Sequence, residues 1–118
     1  MFNSLAGTQL GVWVAHGEGR FVLPGAEGDY NIVSKYAYEA YPGNPNGSGF
    51  STAALASKDG RHLAIMPHIE RSLYPHNWAN YPLDRAHDEV SPWIEAFVNA
   101  KMWIINHKKL GNVSTLTR

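Results

Sequence analysis

Hydrophobic and polar positions along this chain follow two periods, a strand-like alternation in short runs up to Met66 and a helical spacing beyond Ser91. Leu10, Val12 and Val14 fall on one side of an extended segment and Trp13 and Ala15 on the other. Both faces are apolar, so Leu10 to Ala15 reads as an interior strand. It runs into His16-Gly17-Glu18-Gly19-Arg20, whose glycines admit a backbone that other residues resist, and Arg20 to Leu23 forms a short partner strand stopped by Pro24 and Gly25. Tyr30 to Ala40 alternates over a longer span, with Tyr30, Ile32, Ser34, Tyr36 and Tyr38 against Asn31, Val33, Lys35 and Ala37, as a half-exposed strand does. Tyr41 to Gly49, dense in Pro, Asn and Gly, cannot continue a regular element.

Phe50 to Ser57 and Arg61 to Met66 flank Lys58-Asp59-Gly60, and Asp-Gly between two apolar runs is a hairpin signal. From Ser72 the chain is irregular and aromatic through Tyr74, Trp78 and Tyr81, broken by Pro75 and Pro82. Ser91-Pro92 then predicts a helix start, a serine N-cap with proline at the first helical position. Trp93, Ile94, Phe97, Val98, Met102, Trp103 and Ile105 give that helix a broad apolar stripe to pack on a sheet. Lys108 and Lys109 suit its C-terminal end and Gly111 its cap, leaving 112–118 as a loose tail.

At 118 residues the chain fits a single domain, long enough to bury a core without staples. Ten basic and ten acidic residues balance, which leaves no electrostatic footprint for nucleic acid or an anionic membrane. No apolar run approaches the ~20 residues of a membrane span, and the N-terminus lacks a signal-peptide pattern. A cytoplasmic protein is expected. Without cysteine there is no disulfide framework, thiolate metal site or cysteine nucleophile in these residues.

The chemistry concentrates in Leu63 to Ser72, LAIMPHIERS. Pro67 holds Met66 extended and removes a ladder donor, so the strand ends there. If the backbone stays extended for two further residues, His68 and Glu70 point to the same side with Cα atoms roughly 6.5–7 Å apart. The carboxylate can then fix the tautomer of the imidazole and stabilise the imidazolium that forms when the other ring nitrogen takes a proton. His68 would be the base and Glu70 its orienter. His16 and Glu18 share the spacing, but Gly17 and Gly19 suggest a tight loop rather than a held pair. His62 belongs to the sheet, and His76 and His87 have no spacing that builds a metal site.

Trp13 to Phe21 (WVAHGEGRF), Asn44 to Ser48 (NPNGS), Asp59 to Ser72 (DGRHLAIMPHIERS) and Ser91 to Trp103 (SPWIEAFVNAKMW) together resemble the glutaminase domains of the phosphoribosylformylglycinamidine synthase family, among the class I glutamine amidotransferases. The likeness covers roughly residues 5 to 105. It implies an α/β chain, part of a flavodoxin-like domain, strand-rich with one long C-terminal helix. It also implies a Cys-His-Glu triad in which His68 and Glu70 match the histidine and glutamate. The cysteine has no match, so the resemblance implies that residues 1–118 are one partial domain, its C-terminal half, inactive alone. The family has proline where Ile69 stands; isoleucine can adopt the same backbone angles.

The implied activity is hydrolysis of glutamine to supply ammonia for ATP-dependent amidation of formylglycinamide ribonucleotide in purine biosynthesis. No cofactor is expected in this chain, while ATP and magnesium would belong to the synthetase domains. Glutamine, the upstream half of the domain and the synthetase domains are the implied partners, with self-association of the piece when these are absent. His16, Glu18 and Arg20 are candidates for substrate binding or the ammonia route. Two alternatives stand beside this reading: a non-catalytic docking domain, and a metal module built on His16, His62, His68 and Glu70.

Overall fold

A computed structural model describes the backbone of residues 1–116 and the side chains of residues 1–108. Its centre is a three-stranded antiparallel sheet, β1 Ile32–Lys35, β2 Thr52–Ala56 and β3 Leu63–Ile65, in the order β1-β2-β3. β2 and β3 form the hairpin that Asp-Gly predicts, in register from Ala54 opposite Ile65 to Ala56 opposite Leu63. Its turn closes by the Gly60 N–H to the Ser57 carbonyl at 3.0 Å, with Gly60 at φ 73°, where a side chain would be strained. Asp59 Oδ1 accepts from Ser57 Oγ at 2.6 Å and from the Arg61 N–H at 3.2 Å, so the loop is braced from within. β1 pairs with β2 through an irregular register, Ile32 with Leu55, Ser34 with Ala54 and Lys35 with Thr52.

The expected β content is larger than the observed. Tyr30 to Ala40 is a strand only over Ile32–Lys35, because after Tyr36 bonds Ser51 the chain turns back through Ala40 to Asn44. Arg20 to Leu23 is irregular; Phe21 instead exchanges bonds with the 48–49 loop. Leu10 to Ala15 forms no ladder and meets the sheet region at one bridge, Trp13 opposite His68. An extended run gains little from burying two apolar faces unless strands flank it on both sides, and among the described residues it has no second neighbour. What these residues display is thus a mixed unit, a small antiparallel sheet with one long helix.

That helix, α1 Ile94–Leu116, starts at Ile94 rather than at the predicted Pro92, after a turn in which the Ile94 N–H bonds the Ser91 carbonyl and the Glu95 N–H the Pro92 carbonyl, both at 3.1 Å. Ser91 Oγ accepts from the Trp93 N–H at 3.3 Å and donates to the Ser72 carbonyl at 2.5 Å, capping the helix and tying it to the segment after Glu70. The helix does not stop at Gly111. A glycine inside a helix costs ~1 kcal/mol relative to alanine yet keeps its backbone hydrogen bonds, so the turn pattern passes through. Of the expected loose tail 112–118, residues 112–116 lie within the helix and 117–118 lie outside the described residues.

α1 packs by its first turns. Trp93 and Ala96 are buried with Ile69, and Phe2, Leu5, Leu10, Val12 and Ile65 close around them. Asn99 donates to the Met1 carbonyl at 3.0 Å and to Ser4 Oγ at 2.7 Å, so the N-terminal segment, more than the sheet, receives the helix. Farther along, Phe97, Val98, Met102 and Ile104 remain exposed. The core is correspondingly small: among the described residues the buried apolar ones are Ala53, Ala54, Pro67, Ile69, Trp93 and Ala96. Beside this core Val12, Val14, Val33, Ala53, Ile65 and Pro67 line an open groove of about 800 Å³.

Candidate active site

The four sequence stretches that carry chemistry converge around the end of β3. Pro67 ends the strand as expected; the Met66 N–H still donates to the Ala53 carbonyl at 3.0 Å, and the His68 N–H donates to the Trp13 carbonyl at 2.9 Å. Beyond His68 the chain does not stay extended. Ile69–Ser72 is a single 3-10 turn, His68 stands at its N-cap with φ −100° and ψ 85°, and the Arg71 N–H closes on the His68 carbonyl at 3.2 Å. His68 and Glu70 nonetheless meet, with Nδ1 2.5 Å from Oε1. The cap residue keeps a non-helical backbone, so the ~100° per residue of a helix does not separate the two side chains. Ile69, 5% exposed, points into the core with Trp93 and Ala96 and turns its two neighbours outward.

The electrostatics of the pair follow from its hydrogen bond. A carboxylate only accepts, so Nδ1 carries the proton and Nε2 offers its lone pair, with no protein partner among the described residues. The imidazole bonded to Glu70, helped by Glu70's own backbone N–H, holds its carboxyl below the usual carboxylate range. The side chains are 33% and 55% exposed, so the pair stands at the surface. Arg71 makes no ion pair with Glu70 among the described residues.

The second His-x-Glu stretch is arranged differently. His16 to Gly19 is a tight turn, its Gly19 N–H bonded to the His16 carbonyl at 2.8 Å, with Gly17 at φ 56°. Glu18 and Arg20 are exposed, and among the described residues no ion pair joins them. His16 turns away from Glu18: its Nε2 lies 3.2 Å from the Tyr36 hydroxyl and its Nδ1 2.9 Å from Asn46 Nδ2. Burial pushes the Tyr36 phenol up, so it stays a hydroxyl. The turn also adjoins the first pair's strand, since a Cβ on Gly19 would stand 3.2 Å from Met66 Sδ.

Asn44 to Ser48 supplies the fastening. Buried Asn44 closes its own loop through Nδ2 to the Ser48 carbonyl and Oδ1 from the Ser48 N–H, both 2.9 Å. Ser48 Oγ accepts from the Phe21 N–H at 3.0 Å, and Asn46 Nδ2 reaches the carbonyls of Gly17 and Gly19 at 2.5 and 2.9 Å. Sequence reasoning assigns Asn46 and Tyr36 no role, because their partners lie roughly 20 to 30 residues away; the density of Asn and Gly in 44–49 is the signal that points to them. The irregular segment packs rather than reaching the pair: Trp78 donates to the Ser72 carbonyl at 2.8 Å and meets Tyr81 edge-on. The metal alternative finds no support in placement, since no three His, Cys, Asp or Glu side chains among the described residues come close enough to share an ion.

A family model described as a CobB/CobQ-like glutamine amidotransferase domain matches residues 1–104. Phosphoribosylformylglycinamidine synthase of Homo sapiens is 38% identical over 117 residues, covering 89% of this chain and 9% of that protein. The probable chloroplastic/mitochondrial phosphoribosylformylglycinamidine synthase of Arabidopsis thaliana is 41% identical over 119 residues, 88% of this chain and 8% of that protein. The Dictyostelium discoideum phosphoribosylformylglycinamidine synthase is 41% identical over 122 residues, 86% of this chain and 9% of that protein. The chain thus spans about a tenth of the length of the curated relatives it matches, 9%, 8% and 9%. With the family model matching residues 1–104 of 118, this chain belongs to the CobB/CobQ-like glutamine amidotransferase domain family.

Proposed function

We propose that this chain supplies the base and its orienter to a glutaminase of the phosphoribosylformylglycinamidine synthase type. The observation that carries the reading is the His68 Nδ1 to Glu70 Oε1 bond at 2.5 Å, which leaves Nε2, without a partner among the described residues, as the base. In the reaction His68 Nε2 takes the proton of a cysteine thiol, the thiolate attacks the side-chain amide carbon of glutamine, and the imidazolium returns the proton to the departing ammonia. Water then enters by the same base and releases glutamate from the thioester. Glu70 stabilises the imidazolium in both halves.

These 118 residues contain no cysteine, so the nucleophile comes from polypeptide outside them. The ammonia would serve ATP-dependent amidation of formylglycinamide ribonucleotide, with ATP and magnesium bound by synthetase domains and a cytoplasmic location. The rest of a flavodoxin-like α/β domain and those synthetase domains are the proposed partners. The open apolar groove and the exposed Phe97, Val98, Met102 and Ile104 favour such covering, and self-association when it is lacking. His16, Glu18 and Arg20, on the turn beside Met66, are proposed to meet glutamine or the ammonia route. The test is ammonia release from glutamine by this chain joined to the cysteine-bearing part of an amidotransferase, with His68→Ala beside it. Turnover is expected to vanish in the variant, and undiminished turnover would overturn the assignment.

A further inference from the structure

The chemistry of one side chain settles how the turn 16–19 is held. Asn46 Nδ2 lies 2.5 Å from the Gly17 carbonyl and 2.9 Å from the Gly19 carbonyl. Carbonyls only accept, so the amide nitrogen, and not the amide oxygen, must face this side. The same nitrogen is 2.9 Å from His16 Nδ1. The two hydrogens of Nδ2 are shared among these three groups, and an Nδ1 that accepts its share places the proton of the neutral ring on Nε2, toward the Tyr36 hydroxyl at 3.2 Å. His16 and His68 therefore carry opposite tautomers, Nε2–H in the first and Nδ1–H in the second. Of these two, His68 is the one whose Nε2 has no partner among the described residues.

We propose that Asn46 is a positioning residue of this site: its carboxamide clamps the turn 16–19 beside the His68 strand and fixes His16 as the Nε2–H tautomer bonded to Tyr36. The clamp spans two loops that chain connectivity leaves independent, 16–21 and 44–49, and acts with the Ser48 bond to Phe21 and the Gly49 N–H bond to the Phe21 carbonyl at 3.0 Å. It keeps His16 from competing with His68 as a base. Only its bearing on turnover rests on the glutaminase reading.

Long-range nitrogen–proton NMR of the histidine rings in the complete chain at neutral pH tests it without any substrate. The expected wild-type spectrum shows His16 protonated at Nε2 and bare at Nδ1. Asn46→Asp replaces the donor by an acceptor and is expected to move the proton to Nδ1, with the β2–β3 amide resonances unchanged. Tyr36→Phe is expected to leave Nδ1 bare, because the amide and not the phenol sets the tautomer. A proton on His16 Nδ1 in the wild type or in Tyr36→Phe would overturn the proposal, as would an Asn46→Asp spectrum with an unmoved proton in an intact hairpin. Absence of glutamine turnover in the assembled enzyme, with the tautomers as expected, would remove the glutaminase reading and leave the clamp standing.

Discussion

The chain contains His-x-Glu at residues 16–18, 68–70 and 87–89, and from the first two, which flank the same strand region, it builds two unlike objects. The middle residue makes the difference. Ile69 is buried against Trp93 and Ala96, and a side chain anchored inward leaves those on either side of it facing out together. Gly17 has nothing to anchor and adopts φ 56°, so the backbone reverses, Glu18 goes to solvent, and His16 is left to partners from distant loops. The same two functional groups at the same spacing become a coupled acid–base pair in one place and a clamped loop in the other. Spacing proposes such a pair, and burial of the residue between decides it.

The largest expected blow to this contrast is His68→Ala in an amidotransferase carrying its nucleophile. Removing the base should cost on the order of 10²–10⁴-fold in ammonia release, whereas His16→Ala should cost far less. An equal loss in both would erase the distinction between the two stretches. Glu70→Gln comes next. The amide can still accept through oxygen but cannot stabilise an imidazolium, so kcat should fall on the order of 10²-fold with KM for glutamine little changed.

Asn46→Ala frees the turn 16–19 without touching the pair and should raise KM for glutamine roughly tenfold, the effect of losing about 1.4 kcal/mol of positioning, while kcat moves less. A fall in kcat as large as that of Glu70→Gln would place Asn46 with the pair instead. Glu18→Gln tests the proposed contact of that turn with glutamine: exposed and unpaired with Arg20, Glu18 can offer glutamine only a solvated contact, so KM should rise by no more than about threefold with kcat unchanged.

The smallest effect is one of pH on stability. Because the Glu70 carboxyl is held below its unfolded value, its bond to His68 stabilises the fold above the ordinary carboxylate range and is lost as pH falls through the depressed folded value. The stability difference between wild type and Glu70→Gln, followed by urea unfolding at a series of pH values, should therefore be present at neutral pH and shrink only under acid conditions. The exposure of the pair keeps it small. A difference that grew as pH fell would have the wrong sign for a depressed carboxyl.

Local physics is legible in the order of residues alone. Asp59-Gly60 specifies a hairpin, Ser91-Pro92 a helix start, Pro67 a strand end, and His68 and Glu70 a pair, because each depends on the backbone preferences of a few adjacent residues. Even there the route differs, since the pair forms across the cap of a 3-10 turn and not along an extended strand. Leu10 to Ala15 shows the opposite limit. Its apolar alternation is real, but a strand exists only when neighbours complete its ladder, and one bridge at Trp13 is what it finds.

By itself, then, the sequence determined the turn, the cap, the strand end and the two reactive groups of the candidate site. Only the tertiary structure decided that Asn46 fastens His16, that Trp13 seats His68, that Ser91 ties α1 to the segment after Glu70, and that the core stays small beside an open groove. The physical reason is the range of the forces involved. Torsional preference and capping are settled within a few residues, whereas hydrogen bonds and packing between segments roughly 20 to 80 positions apart require the chain to be closed before either partner has anything to meet.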